Sequence, residues 1–179
     1  LELRLGKEAV AETLRTGYAA PLLGPVTGLV KLTLRTAAAS IGLFGAHMLA
    51  GWPGTASLVH LSLAACGLSG VETDAFAGLR QLRTLDLKQN RLAEVRRGML
   101  AGLVSLEQLD LSANRIERIE EGAFAPLGQL RQLSLYFNRL SRLERGSLAG
   151  LFSLQELDVR GNIGCGGSGQ NTSKRGGGC

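Results

Sequence analysis

The sequence predicts an α/β solenoid in which short parallel strands stack one repeat above the next, with irregular or short helical segments on the opposite side. Two observations carry this. One phrase recurs at a fixed step of 24 residues: LRTLDLKQN from Leu82, LEQLDLSAN from Leu106, LRQLSLYFN from Leu130 and LQELDVRGN from Leu154. A weaker copy, LVHLSLAAC, begins one step earlier at Leu58. A fixed period of roughly 20–50 residues is the signature of a quasi-one-dimensional stack. The second observation is composition. The 179 residues are 45% hydrophobic but only 4% aromatic, and a leucine-dominated core suits a repeat stack better than an irregular globule.

Counting the first leucine of each phrase as offset 0, leucine or a substitute falls at offsets 0, 3, 5, 10, 13, 18 and 21. In the copy from Leu106 these are Leu106, Leu109, Leu111, Ile116, Ile119, Phe124 and Leu127. The Leu-x-Leu pair at offsets 3 and 5 alternates with period two, so it is a short strand with its leucines inward. Successive copies stack as a parallel sheet at a spacing of about 4.8 Å. Offset 8 ends the strand with Asn90, Asn114, Asn138 and Asn162, and with Cys66 in the first copy. A buried turn must satisfy its backbone groups, and asparagine offers both a donor and an acceptor. Cys66 is therefore expected to be a buried member of this column. Offset 18 supplies core side chains (Phe76, Leu100, Phe124, Leu148), and Gly98, Gly122 and Gly146 two positions earlier suit a turn.

Upstream, Leu3-x-Leu5, Leu32-x-Leu34 and Leu61-x-Leu63 are spaced by 29 residues, with Leu14 aligned to Leu43 and Gly24-Pro25 to Pro53-Gly54. Residues 1–57 therefore read as two longer, irregular units (1–28 and 29–57), with Glu8 and Ala37 in place of the asparagine. Residues 58–163 form the regular repeats, and 164–179 a glycine- and serine-rich tail or insertion loop. The five extra residues of each long unit are expected to form helix of one to three turns, within AVAETLRTG from Ala9 and AAASIGLFGAHMLAG from Ala37. Thr36 to Val71 lacks Asp, Glu, Lys and Arg, but Gly51-Trp52-Pro53-Gly54 interrupts it, so no spanning helix is expected.

The consensus LxxLxLxxNxLxxLxxGxFxxLxx resembles the leucine-rich repeat, in the 24-residue variety of extracellular animal proteins. The resemblance is close over 58–163 and loose over 1–57. Irregular 29-residue units beside regular 24-residue ones are most similar to a Toll-like receptor ectodomain. Slit-type, small proteoglycan and lamprey variable lymphocyte receptor repeats share the regular part. The resemblance implies a leucine-rich-repeat solenoid, curved as a horseshoe, with the parallel sheet on its concave face. It also implies a non-enzymatic, cofactor-free receptor segment on the extracellular or luminal side of a membrane. Such a segment captures a microbial or other ligand, and receptor homo- or heterodimerisation then brings signalling domains together. The alternative is a secreted or cell-surface adhesion or matrix protein that binds a protein on its concave face. The family's usual cysteine-rich cap phrase is missing after Asn162, where Ile163-Gly164-Cys165 follows. The opening LELRLGKEAV has charges where a signal peptide would be apolar. Both features suggest a piece of a longer chain.

The concave surface is expected at offsets 1, 2, 4, 6 and 7. Tyr136 and Phe137, at offsets 6 and 7, stand where consensus residues are small and polar. Two adjacent aromatics there are either a contact anchor or packing for the neighbouring repeat. With a net charge of +5 and a pI near 9.6, an anionic ligand such as nucleic acid or glycan is one expectation. Lys31, Arg35, Arg83, Lys88, Arg131 and Arg160 would then carry the attraction. Charges elsewhere are mixed, which suits solubility. The offset-4 column of Asp86, Asp110 and Asp158 has no His or Cys to complete a metal site, so a structural role is expected. His60 is expected to be exposed on the same face. No nucleophile–base pair or phosphate loop is found. In the tail, Asn171-Thr172-Ser173 is an N-glycosylation acceptor sequence, and Cys165 and Cys179 could pair in an oxidising compartment.

Overall fold

The computed structural model describes residues 2–5, 28–34, 41–45, 48, 49 and 52–163. Arg35, Cys165, Asn171 and Cys179 lie outside them, as do the segment from Ala9 to Gly17, Glu8, Leu14, Gly24-Pro25 and Ala37.

The leucine phrases form one seven-stranded parallel sheet. Its strands, in spatial order, are β1 (Glu2–Leu5), β2 (Lys31–Leu34), β4 (His60–Ser62), β6 (Thr84–Asp86), β8 (Gln108–Asp110), β10 (Gln132–Ser134) and β11 (Glu156–Asp158). Register follows the sequence periods. Leu3 pairs with Leu32 and Leu32 with Leu61, each 29 residues on, and then Leu61, Leu85, Leu109, Leu133 and Leu157 pair in steps of 24. On the other side, β3 (Gly42–Phe44) pairs with β5 (Leu68–Val71), and β7 (Glu94–Val95) with β9 (Arg118–Ile119).

Between these sheets lies a continuous core from Leu29 to Leu140, with Phe44 stacked on Phe76 at 5.4 Å and Trp52 fully buried. Leu148, Leu151, Leu154 and Leu157, in the last repeats described, are only half-buried.

One expectation is corrected. Where a helix was expected from Ala37, residues 42–44 form a strand whose Leu43 and Phe44 pair with Gly70 and Val71. The competing influence is tertiary: the edge of β5 offers backbone partners, and a short segment with two glycines has little helix propensity to resist it. The nearby helical turn is a five-residue 3-10 helix, Pro53–Ser57, started by proline.

The expected turn glycines Gly98, Gly122 and Gly146 have φ of +83°, +74° and +89°. Gly102 and Gly150 answer a different constraint. A Cβ on either would sit 2.6 Å from the Cα of Ala77 or Ala125 in the repeat below, so consecutive repeats approach too closely for a side chain.

The asparagine column joins the turns. Asn138 accepts the Ile116 N–H at 3.0 Å and donates to the carbonyls of Leu111 (2.9 Å) and Leu135 (3.0 Å). Asn90, Asn114 and Asn162 repeat the pattern. Cys66 continues it: buried, its N–H bonds Asn90 Oδ1 at 3.1 Å and its thiol donates to the Leu34 carbonyl at 3.3 Å.

Replacing Asn138 with Ala leaves the buried Ile116 N–H without its partner, while the Leu111 and Leu135 carbonyls each lose one donor but keep those of Asn114 and Asn162. One unpaired buried donor costs about 1–3 kcal/mol, and that is the expected loss, read as a lower urea midpoint. An unchanged midpoint would show that the column is not a main support.

Candidate functional site

The concave face is built from the strand residues that point away from the core and from the turns that follow. It holds a depression of about 840 Å³ along β6, β8, β10 and β11. Offset 2 lines it with Thr84, Gln108, Gln132 and Glu156, and offset 4 with Asp86, Asp110, Ser134 and Asp158.

The aspartates are turn-builders. Oδ1 of Asp86, Asp110 and Asp158 accepts the N–H of Lys88, Ser112 and Arg160 respectively, at 3.1, 2.9 and 3.1 Å. A carboxylate bonding the backbone two residues on is the short-range geometry that fixes such turns. This agrees with the structural role expected for the column. Among the described residues, no three His, Cys, Asp or Glu come together as metal ligands.

The next position bends sharply. Ala65, Gln89, Ala113 and Phe137, all at offset 7, have φ between +51° and +57°, and Gly161 has +75°. Sequence reading missed this recurring left-handed position, although Gly161 was its visible signal. A left-handed conformation is unusual for a bulky residue such as phenylalanine. Phe137 is nonetheless 62% exposed and Tyr136 45%, their rings tilted at 41° with centroids 5.8 Å apart. Phe137 also leans over Gly161, whose added Cβ would lie 3.1 Å from the ring. The pair thus combines limited packing with a large open surface.

The basic candidates occupy two margins. At offset 1, Arg83 bonds Glu107 of the next repeat at 2.6 Å, while Arg131 is exposed and has no ion pair with a described residue. At offset 6, Lys88 lies 3.6 Å from Asp86. Arg160 grips Asp158 through Nε and a terminal nitrogen (2.9 and 2.7 Å), and its guanidinium carbon sits 5.9 Å from the centre of the Tyr136 ring. The Arg160 hydrogen bonds hold the Asp158 carboxyl below the usual carboxylate range. Three of the four candidate cations on this stretch therefore already have carboxylate partners within the sheet. Lys31 is an exposed member of β2, and His60 is half-buried on β4. On the far side, pairs such as Arg118–Glu94, Arg118–Glu120 and Arg142–Glu144 form a mixed-charge surface.

A family model described as Leucine rich repeat matches residues 56–116 and 105–162. No curated protein matches the chain. Among solved structures, TLR13 in its complex with ssRNA13 superposes with a TM-score of 0.69 at 25% identity, over 88% of this chain and 22% of that one. The LRIM1/APL1C complex superposes with a TM-score of 0.68 at 21% identity, over 76% and 24%. This chain spans about a quarter or less of the length of either relative. Among the described residues, no helix is long and apolar enough to cross a membrane.

Two outcomes follow. Phe137→Asn suits the left-handed backbone better and exposes less apolar surface, so its urea midpoint should be unchanged or higher. A clear loss of stability would make Phe137 chiefly a packing residue. Asp158, with a depressed pKa in the folded state, contributes stability above its unfolded pKa of about 3.9 and loses it as pH falls through the folded value. Arg160→Gln should therefore lose less stability than the parent between about pH 5 and pH 2 in urea titrations, and an identical pH dependence would contradict the pairing.

Proposed function

The chain belongs to the leucine-rich repeat family, and on that premise we propose that it is a recognition segment of a receptor ectodomain, binding a protein ligand on its concave face. The observation that carries this is the aromatic pair Tyr136-Phe137, largely exposed at the edge of the depression on β6 to β11. Aromatic side chains of this kind dominate the energetics of interface cores. Arg83, Lys88, Arg131 and Arg160 frame the same face and would set orientation more than affinity, because charge complementarity mainly governs specificity and association rate.

The likeness to TLR13 supports the finer reading. In it, the chain is an extracellular or luminal part of an innate immune receptor that detects a microbial or other ligand and signals by dimerising, with no catalysis of its own. Glycosylation at Asn171 and a Cys165–Cys179 disulfide belong to that reading. The alternative is an adhesion or matrix protein with the same concave-face contact. TLR13 is bound to ssRNA13 in its structure, which favours a nucleic-acid ligand as a second reading, with Arg131 as the available cation.

The test is a binding screen of the full chain, expressed in a glycosylating host, against microbial ligands, host proteins and single-stranded nucleic acid at two salt concentrations. A protein hit should weaken about thirtyfold when Tyr136 and Phe137 are both changed to Ser, equivalent to about 2 kcal/mol of hot-spot energy. Unchanged affinity would remove the pair as anchor. A hit on nucleic acid alone, falling steeply with salt, would favour the second reading.

A further inference from the structure

We infer that the ligand presents a lysine or arginine side chain to the floor of the depression, where Asp110 receives it; this rests on the concave-face reading above. The chain as a whole carries +5, but the residues lining the depression have four carboxylates against one guanidinium. The local field is therefore opposite in sign to the net charge, and a partner meets the local field at contact.

The four carboxylates are not equivalent. Asp158 is held in a two-bond fork by Arg160, and Asp86 has Lys88 at 3.6 Å and the Ser62 hydroxyl at 3.1 Å. Asp110 and Glu156 have no cationic partner among the described residues. Asp110 accepts the Ser112 N–H through Oδ1, and no described side chain donates to its other oxygen. Its neighbour in the column on β10 is Ser134, an uncharged gap between Asp110 and Asp158. A cation seated over Ser134 would lie one strand, about 5 Å, from the Asp110 position. Glu156 stands on β11, two strands from β8 and roughly 10 Å away, with Gln132 between. Gln108 and Gln132 add side-chain carbonyl acceptors around the same spot.

The rim adds an independent feature. Tyr136 follows Ser134 by two residues, and its ring already has one guanidinium, that of Arg160, at 5.9 Å. An arginine or lysine entering between Asp110 and the ring would combine an ion pair with a cation–π contact. A phosphate at this place would instead face Asp110 and Glu156, and like-charge juxtaposition opposes binding. The occupant that fits is a protein segment with an exposed basic residue.

The probe is a phage-displayed library of random peptides, selected on the immobilised full chain and eluted with soluble chain. Recovered peptides should be enriched in Lys or Arg and should bind Asp110→Asn about tenfold more weakly, the scale of one modest charge contact. Asn retains an oxygen for the Ser112 N–H, and circular dichroism with a urea titration checks that the variant folds. Asp86→Asn, whose carboxylate already has Lys88, should change binding little. A peptide with its Lys or Arg changed to Glu should recover affinity for Asp110→Arg. Peptides that need Tyr136 and Phe137 but ignore Asp110→Asn would overturn this inference while leaving the concave-face reading intact. Equal losses from Asp86→Asn and Asp110→Asn, or a pool without basic enrichment, would also overturn it. Failure to recover any peptide, or peptides indifferent to Asp110 and the aromatic pair alike, would overturn both.

Discussion

The buried asparagine column is the constraint on which the other features depend. A stack of short strands has to turn its chain inward at every repeat, and each turn carries peptide groups into a region without water. The cost of leaving such groups unpaired is of the same order as the whole stability of a domain divided among its repeats. Each asparagine meets its own turn and the preceding one together, as Asn138 does with Leu135 on one side and Leu111 and Ile116 on the other. Beside the strand ladder and the leucine core, one side-chain type used repeatedly thus joins the neighbouring turns, which frees the outward columns to vary.

That freedom explains why bulk charge is a poor guide here. The leucine positions are set by packing and the asparagine positions by hydrogen bonding, so ligand information is confined to the residues between them. On this face those residues largely answer one another: Arg83 with Glu107, Lys88 with Asp86, Arg160 with Asp158. Exposed pairs of this kind add little stability, typically below about 1 kcal/mol each. They do decide which charges are left to meet a partner.

Much of the fold was legible in the sequence because its causes are periodic. A leucine at a fixed step reports a strand, and the 29-residue spacing of Leu3, Leu32 and Leu61 is the register seen in the sheet. The strand at residues 42–44 was not legible, because its reason is a neighbouring edge and not its own composition. In the site, the exposure of Tyr136 and Phe137 followed from their offsets. The pairing of Arg83 with Glu107 was available in principle, since the two share an offset one repeat apart, but it requires reading columns two repeats at a time. The different state of Asp110 among three similar aspartates depends on Lys88, Arg160 and Ser112 standing two residues after each, a contrast that only their atomic positions make plain.

The turn holding the aromatic pair is tied on both sides. The Tyr136 carbonyl accepts the Ala113 N–H at 2.8 Å, the Phe137 N–H reaches the Arg160 carbonyl at 2.9 Å, and Asn138 is anchored immediately afterwards. The main chain beneath these rings has little conformational freedom left to lose. An incoming ligand would find the surface already ordered, so the entropy of association falls mainly on the ligand's own segment and on two aromatic rotamers. A rigid partner would consequently gain more from this surface than a floppy one of the same sequence.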